Sequence, residues 1–586
     1  MREKQGRVAE RREGRGPICE GFMDDARRIG VPVARRRFLW GAAAAMAGPS
    51  LVQAAGDSGH ALNHAGSTKL KAHLAEHAGS RDGVELYYQA AVFAYAAMAA
   101  DPTGRESGRA MALYNECLAG CLRVASRHRA IDPRSSLVLR TSRGEVAVPI
   151  VHRGFVWSPS EFHGLIPPST APRNPSNARD HTRAGLGAPQ VVRRCNPQAT
   201  AADAFLPTTS YFPATAALRP DLDAWLNGGG PGPGDVLELV DPLRVGCVEG
   251  PGAGRPLAYD LDAPIAFLEH ETIGPFQSGW EGLVNPSQDP NRAFLNLLEP
   301  FQPGKTPVVF VHGLYDSPYT FTDLMNGLRL RPGFLDRYQI VGYRYPTGLT
   351  FLHTAALFRR DMYRFAAAVD PAQADPGVQN SVLVGHSMGG LVMKTLMVSS
   401  GCTFWNQVCN RPLEALATAE QSRASLSALF FFEPVPTIRR AIFVATPHNG
   451  LSAAAQPGGV ITEALTRRPR DLDGLIGQLN RDNPGAILPY MHDLPNCIGM
   501  LRRREPTHRA LRDLAIDPAI QYHTIAGTGR ILPAAISHGD GVVPVGSAHH
   551  EGAASETLVP ETHTTINPSE YTLVEVERIL RLHAGS

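Results

Sequence analysis

The sequence has almost no excess charge of either sign. Its 57 basic residues face 55 acidic ones, for a formal net charge of +2. With no basic stretch interleaved with aromatics, this balance gives no case for nucleic-acid binding. Cysteine is scarce, at eight in 586 residues, and no spacing resembles a zinc site. Nothing in the sequence implies a metal or cofactor. Long apolar runs are also missing. The uncharged stretch from Trp40 to Ala55 is too short, and too rich in alanine and glycine, to span a bilayer comfortably. No repeat period is sustained.

What is present suits a folded protein. The chain is 43% apolar and 19% charged, and long enough for two or more domains. Its 48 prolines and 57 glycines imply many loops. They cluster away from Ser387.

The N-terminus reads as a targeting segment. Arg35-Arg36-Arg37-Phe38-Leu39 precedes the uncharged stretch, and Val52-Gln53-Ala54 offers an A-x-A-like cleavage site. Residues 1–55 are therefore expected to be a twin-arginine export signal, giving a periplasmic or secreted protein, or an anchored one if the signal is retained. Met23 is an alternative start. Export would place the mature chain in an oxidising compartment, where Cys402 and Cys409 are close enough in sequence to bridge a loop.

Residues 56–135 are expected to hold a helical hairpin. Val84, Tyr87, Tyr88, Ala91 and Tyr95 recur at helical spacing, as do Leu113, Cys117 and Leu118, with Asp101-Pro102-Thr103-Gly104 between the runs. Residues 136–300 read as an irregular β-rich accessory region. It starts with a hairpin around Arg143-Gly144 and is broken by stretches such as Gly228 to Gly234. From Pro307 onward, apolar runs alternate with helical periods. The strand-like runs are Val308–Val311, Gln339–Tyr343, Ser381–Val384, Ala441–Ala445 and Tyr522–Ala526. The pattern predicts an α/β domain over 301–586, with a mostly parallel sheet and helices on both faces. Residues 451–519 are too long for a simple loop and form a candidate cap. Leu475, Ile476 and Leu479 could face an acyl chain there, although ordinary packing is the preferred reading.

One stretch organises this half. Gly385-His386-Ser387-Met388-Gly389 lies between a β-branched run and a helical one. Strand, tight turn, helix, with serine at the apex, is the arrangement of a nucleophile elbow. Acyl transfer by serine also needs a base, an acid to orient it, and donors for the oxyanion. Downstream, Asp540 stands in a Gly-flanked loop after a strand, and His563 follows the last apolar run. Upstream, Val311-His312-Gly313-Leu314 ends the first strand of the alternating region. The backbone amides of Leu314 and Met388 are candidate oxyanion donors. His538, His549 and His550 are rivals for the base. His563 is favoured because it lies at the carboxyl end of its strand, on the side of Ser387. His312 reads as structural.

These motifs, with Ala445-Thr446-Pro447-His448-Asn449-Gly450 and Asp540-Gly541-Val542-Val543-Pro544, resemble those of the α/β-hydrolase lipases and esterases. The resemblance covers about half the chain. It implies Ser387 as nucleophile, Asp540 as acid and His563 as base, with Leu314 and Met388 as the oxyanion hole and Gly385 and Gly389 shaping the elbow. The upstream part is similar, more weakly, to bacterial proteins in which a helical and β-rich region precedes such a domain. The expected function is hydrolysis of a carboxylic ester or lipid, with peripheral contact at a lipid surface compatible with that role. Acyl transfer by the same residues, or a scaffold with a vestigial site, are the alternatives.

Overall fold

Three helices open the described part of the chain: α1 (Ser58–His77), α2 (Gly83–Ala100) and α3 (Ser107–Arg127). The computed structural model describes residues 58–585 except 173–177, 228–229, 233, 250, 252–253, 274–292, 315, 348, 452–469 and 530–537. The expected export signal lies outside these residues, as does the first part of the expected cap. Helices α2 and α3 form the expected hairpin, and Gly120 admits the Tyr87 ring, which a Cβ would meet at 2.7 Å. Helix α1 is an addition to it. Its apolar pattern is uninformative because Leu70 and Leu74 are exposed while Ala61, Ala65 and Ala72 are buried.

Residues 131–260 are more regular than expected. They build a seven-stranded sheet in the order β1-β2-β3-β8-β7-β6-β4. Its strands are β1 (Ile131–Asp132), β2 (Ser136–Thr141), β3 (Gly144–Arg153), β4 (Phe162–Ile166), β6 (Ala188–Cys195), β7 (Thr209–Arg219) and β8 (Val236–Val240), while β5 (Thr182–Arg183) pairs with β9 (Tyr259–Asp260). All its neighbours run antiparallel except β3 and β8. The β2–β3 turn falls at Gly144, whose φ of 119° suits glycine. The stretch read as β-rich also holds helix α4 (Asp262–Ile273), which contains the apolar run Ile265–Leu268.

A second seven-stranded sheet follows, in the order β10-β12-β11-β13-β14-β15-β16. Its strands are β10 (Phe294–Leu297), β11 (Thr306–Val311), β12 (Tyr338–Arg344), β13 (Ser381–His386), β14 (Ile438–Val444), β15 (Gln521–Gly527) and β16 (Ser555–Val559). The β10–β12 pair is antiparallel and the remaining five pairs are parallel. The protein is thus α/β with mixed sheets, and the expected mostly parallel arrangement describes only part of its strands. Strands β11 to β14 are apolar on both faces because both faces are covered. Val309, Val311, Val341 and Leu383 join one core. The alternate residues Val308, Phe310, Ile340 and Val382 join another. Helices α5 (Thr322–Arg329) and α8 (Glu570–Ala584) close the second core through Leu324, Leu328, Leu573 and Val576. Helix α6 (Phe351–Val369) closes the first through Phe358 and Phe365. Each such side chain, fully buried, contributes about 1.5–3 kcal/mol.

The two sheets share polar links. Asp241 and Glu299 both pair with Arg244 at 2.5 Å, and Glu299 also faces Arg329 at 3.6 Å. On α5, Asp323 accepts the backbone N–H groups of Ala178 and Arg179.

In the described part of the expected cap, Ile476 and Leu479 are buried in the common core. They pack within the protein, in line with the preferred reading. Cys402 is exposed and Cys409 buried, and neither is bridged.

Candidate functional site

The elbow occupies the end of β13 and the start of helix α7 (Met388–Lys394). Ser387 has φ 52° and ψ −124°, a conformation rare for a side chain with a Cβ. Such strain costs about 1–3 kcal/mol and persists only where neighbours impose it. Here they do. The Ser387 N–H donates to the Val444 carbonyl at 2.8 Å, and Gly390 N–H donates to the Ser387 carbonyl at 3.1 Å. The glycines permit this closeness. A Cβ on Gly385 would stand 2.6 Å from the Met393 sulfur, and one on Gly390 would stand 1.9 Å from the Thr446 hydroxyl. Thr446 lies in a motif quoted above and Gly390 directly follows the elbow, but their contact is not readable from the sequence.

Strand β15 ends at Gly527, where a Cβ would crowd the Asp540 Cβ at 2.7 Å. This gap lets the Asp540 loop return against the sheet. The Asp540 carboxylate is buried. One oxygen accepts the N–H groups of Val542 and Val543 at 2.8 and 2.7 Å, and the other accepts from His563 Nδ1 at 2.7 Å. The second ring nitrogen of His563, Nε2, lies 2.9 Å from Ser387 Oγ. The main chain of His563 is tied as well, its N–H donating to the Asp540 carbonyl at 3.0 Å. The structure therefore brings Ser387, His563 and Asp540 into one hydrogen-bonded line, from three separate loops at the carboxyl ends of β13, β16 and β15.

Two of the rival histidines have side chains engaged elsewhere. His549 Nδ1 pairs with Glu556 at 2.8 Å. His550 packs edge-on against His448, with ring centroids 4.5 Å apart. The carbonyl of His538 accepts from Val545 in the loop leading to Asp540.

Gly313 lies against the serine, since a Cβ there would be 3.2 Å from the Ser387 Cβ. The next residue is Leu314. Across the site, Met388 is the first residue of α7, so its N–H has no acceptor within the helix. His312 fixes the shape of the first loop. Its Nδ1–H donates to the Gly313 carbonyl at 2.9 Å, its Nε2 accepts from Tyr345 N–H at 3.3 Å, and the Tyr345 hydroxyl donates to the His312 carbonyl at 2.7 Å. Burial pushes the His312 imidazole down to about 3, so it stays neutral. Just beyond, burial raises the Asp316 carboxyl to about 6, although it accepts the Ser317 N–H at 2.8 Å. Neither Asp316 nor His386 was singled out by sequence reasoning. Their signal exists only in three dimensions.

Among the described residues, no group of three or more histidine, cysteine, aspartate or glutamate side chains is placed to hold a metal ion. No described helix is long and apolar enough to cross a membrane.

No known family model matches the chain, and no curated protein matches it. Solved structures do. The mature lipase BlEst2 of Bacillus licheniformis is 16% identical, over 49% of this chain and 98% of its own, with a TM-score of 0.30. Esterase B of Lactobacillus rhamnosis is 13% identical, over 51% and 84%, with a TM-score of 0.29. The Vlm2 thioesterase domain is 16% identical, over 50% and 97%, with a TM-score of 0.23.

Proposed function

We propose that the protein is a serine hydrolase of carboxylic esters with an α/β-hydrolase domain. The observation that carries this reading is the line from Ser387 Oγ through His563 Nε2 and Nδ1 to Asp540, at 2.9 and 2.7 Å. A serine hydroxyl is a weak nucleophile until a base takes its proton, and the imidazole stands in place to do so. In this mechanism Ser387 Oγ attacks the acyl carbon while its proton passes to His563 Nε2. Asp540 orients the ring and stabilises the imidazolium. The amides of Leu314 and Met388 receive the oxyanion. Collapse of the tetrahedral intermediate expels the alcohol, which takes the proton from His563. Water then attacks the acyl-enzyme with His563 again as base, releasing the acid and restoring the serine.

Residues 1–55 act in this reading as a twin-arginine signal, and the substrate is an ester or lipid met outside the cytoplasm. Labelling with a fluorophosphonate probe tests the central claim. The full chain should be labelled at Ser387, and Ser387→Ala should not be labelled. An unlabelled wild-type chain would refute the assignment.

A further inference from the structure

The residue just before the serine, His386, is 6% exposed and lies beside His563, with ring centroids 4.8 Å apart. Its Nε2 is 3.2 Å from the main-chain carbonyl oxygen of His563. A carbonyl only accepts, so the His386 proton sits on Nε2 and Nδ1 is bare. Nδ1 has no hydrogen-bond partner among the described residues. It faces Gly313, where a Cβ would stand 3.2 Å away. Among the described residues this imidazole therefore makes a single hydrogen bond, directed at the backbone of the proposed base.

That bond completes a frame. The N–H of His563 is held by Asp540 and its carbonyl by His386, while its two ring nitrogens reach Asp540 and Ser387. His386 and Ser387 are adjacent in sequence. Movement of the His563 loop away from the elbow would therefore break the His386 bond together with the Ser387 bond. Electrostatics keep the arrangement in one state. Burial, followed by the nearby His563, holds His386 well below the usual imidazole range. When His563 takes the serine proton, the neighbouring ring stays neutral and sets no second cation against it.

We infer that His386 is a positioning residue, which fixes the backbone of His563 at reacting distance from Ser387 through its Nε2–H. Packing alone would explain the burial of His386 but needs no donor at that atom. The inference rests on the serine-hydrolase reading, and the experiment separates the two. In the full chain, His386→Phe keeps an apolar ring without the donor, His386→Asn places an amide one bond short, and His386→Gln returns an N–H near the position of Nε2.

Turnover of p-nitrophenyl butyrate should fall in the Phe and Asn variants by about 10²-fold in kcat, the scale of a small misplacement of a reacting group. KM should be unchanged, and Gln should restore most of the loss. Melting temperatures show whether each variant is folded. If Phe does not fold, the Asn and Gln pair carries the test. Equal kcat in Asn and Gln, or wild-type kcat in a folded Phe variant, would overturn the inference while fluorophosphonate labelling of the wild type leaves the hydrolase reading standing. Absence of labelling in the wild type would overturn both.

Discussion

Gly389 rests on the carbonyl oxygen of Val311, so closely that a Cβ at 389 would stand 2.3 Å from that atom and 2.4 Å from the carbonyl oxygen of His312. The obstacle is backbone in the middle of a sheet, which cannot swing aside as a side chain would. Gly389→Ala is thus expected to push the elbow off β11. The stability loss should be about 1–3 kcal/mol, the usual cost of overpacking. Esterase activity per folded molecule should also collapse. Chemical denaturation and p-nitrophenyl ester turnover would measure the two effects.

The hydrogen-bonded line predicts a grouping of mutants. Ser387→Ala and His563→Ala should each lower kcat by about 10³-fold or more, and the double variant should be little worse than either, because members of a triad act as a unit. His549→Ala and His538→Ala should stay within about 10-fold of wild type. A His549→Ala variant as impaired as His563→Ala would contradict the proposed base.

A pH effect on stability is expected at Glu505. This carboxyl lies against Tyr490 and accepts the His508 N–H at 2.8 Å, and burial pushes it up from 4.5 to about 7. The folded state then binds a proton that the unfolded state releases at lower pH. The stabilising contribution is complete below pH 4.5 and is lost as pH rises through about 7. Glu505→Gln should remove that slope, gaining on the wild type as pH rises across this window. Denaturation midpoints at several pH values would show it, and parallel curves for the two proteins would refute it.

Short-chain p-nitrophenyl esters should be hydrolysed at the same rate with and without EDTA, since no step of the proposed reaction calls on a metal. Loss of turnover in chelator, restored by zinc or calcium, would require a different mechanism or a structural ion.

The Arg35-Arg36 pair should direct export. Replacing both with lysine should hold the protein in the cytoplasm, as seen by cell fractionation. A double variant that still reaches the periplasm would remove the twin-arginine reading.

Legibility in the sequence followed burial. Strands β11, β13 and β14 were readable because a strand buried on both faces is an unbroken apolar run, and Ser387 because its turn needs glycines at fixed places. Strands β6 and β7 were not. β7 carries Pro213 in its middle, which argues against a strand, and it pairs as one all the same. Helix α1 has no legible apolar face because alanines form its buried side while Leu70 and Leu74 face solvent. At the site, Asp540 and His563 could be found by chain order and loop position. The hydrogen bond from His386 to a carbonyl 177 residues away could not, since a backbone acceptor leaves no mark on the sequence.

Strand β10 lies before residue 301, the expected start of the second domain, yet it forms one border of the second sheet by pairing with β12 from Phe294 to Leu297. Cutting the chain at 301 would strip away that border strand and leave the amides and carbonyls of β12 open along one side, a template for sticking to another copy. It would also remove Glu299, leaving Arg329 without its counter-charge. A fragment that keeps every residue of the proposed reaction would thus be prone to precipitate, and its silence in an assay would report the missing strand rather than the chemistry.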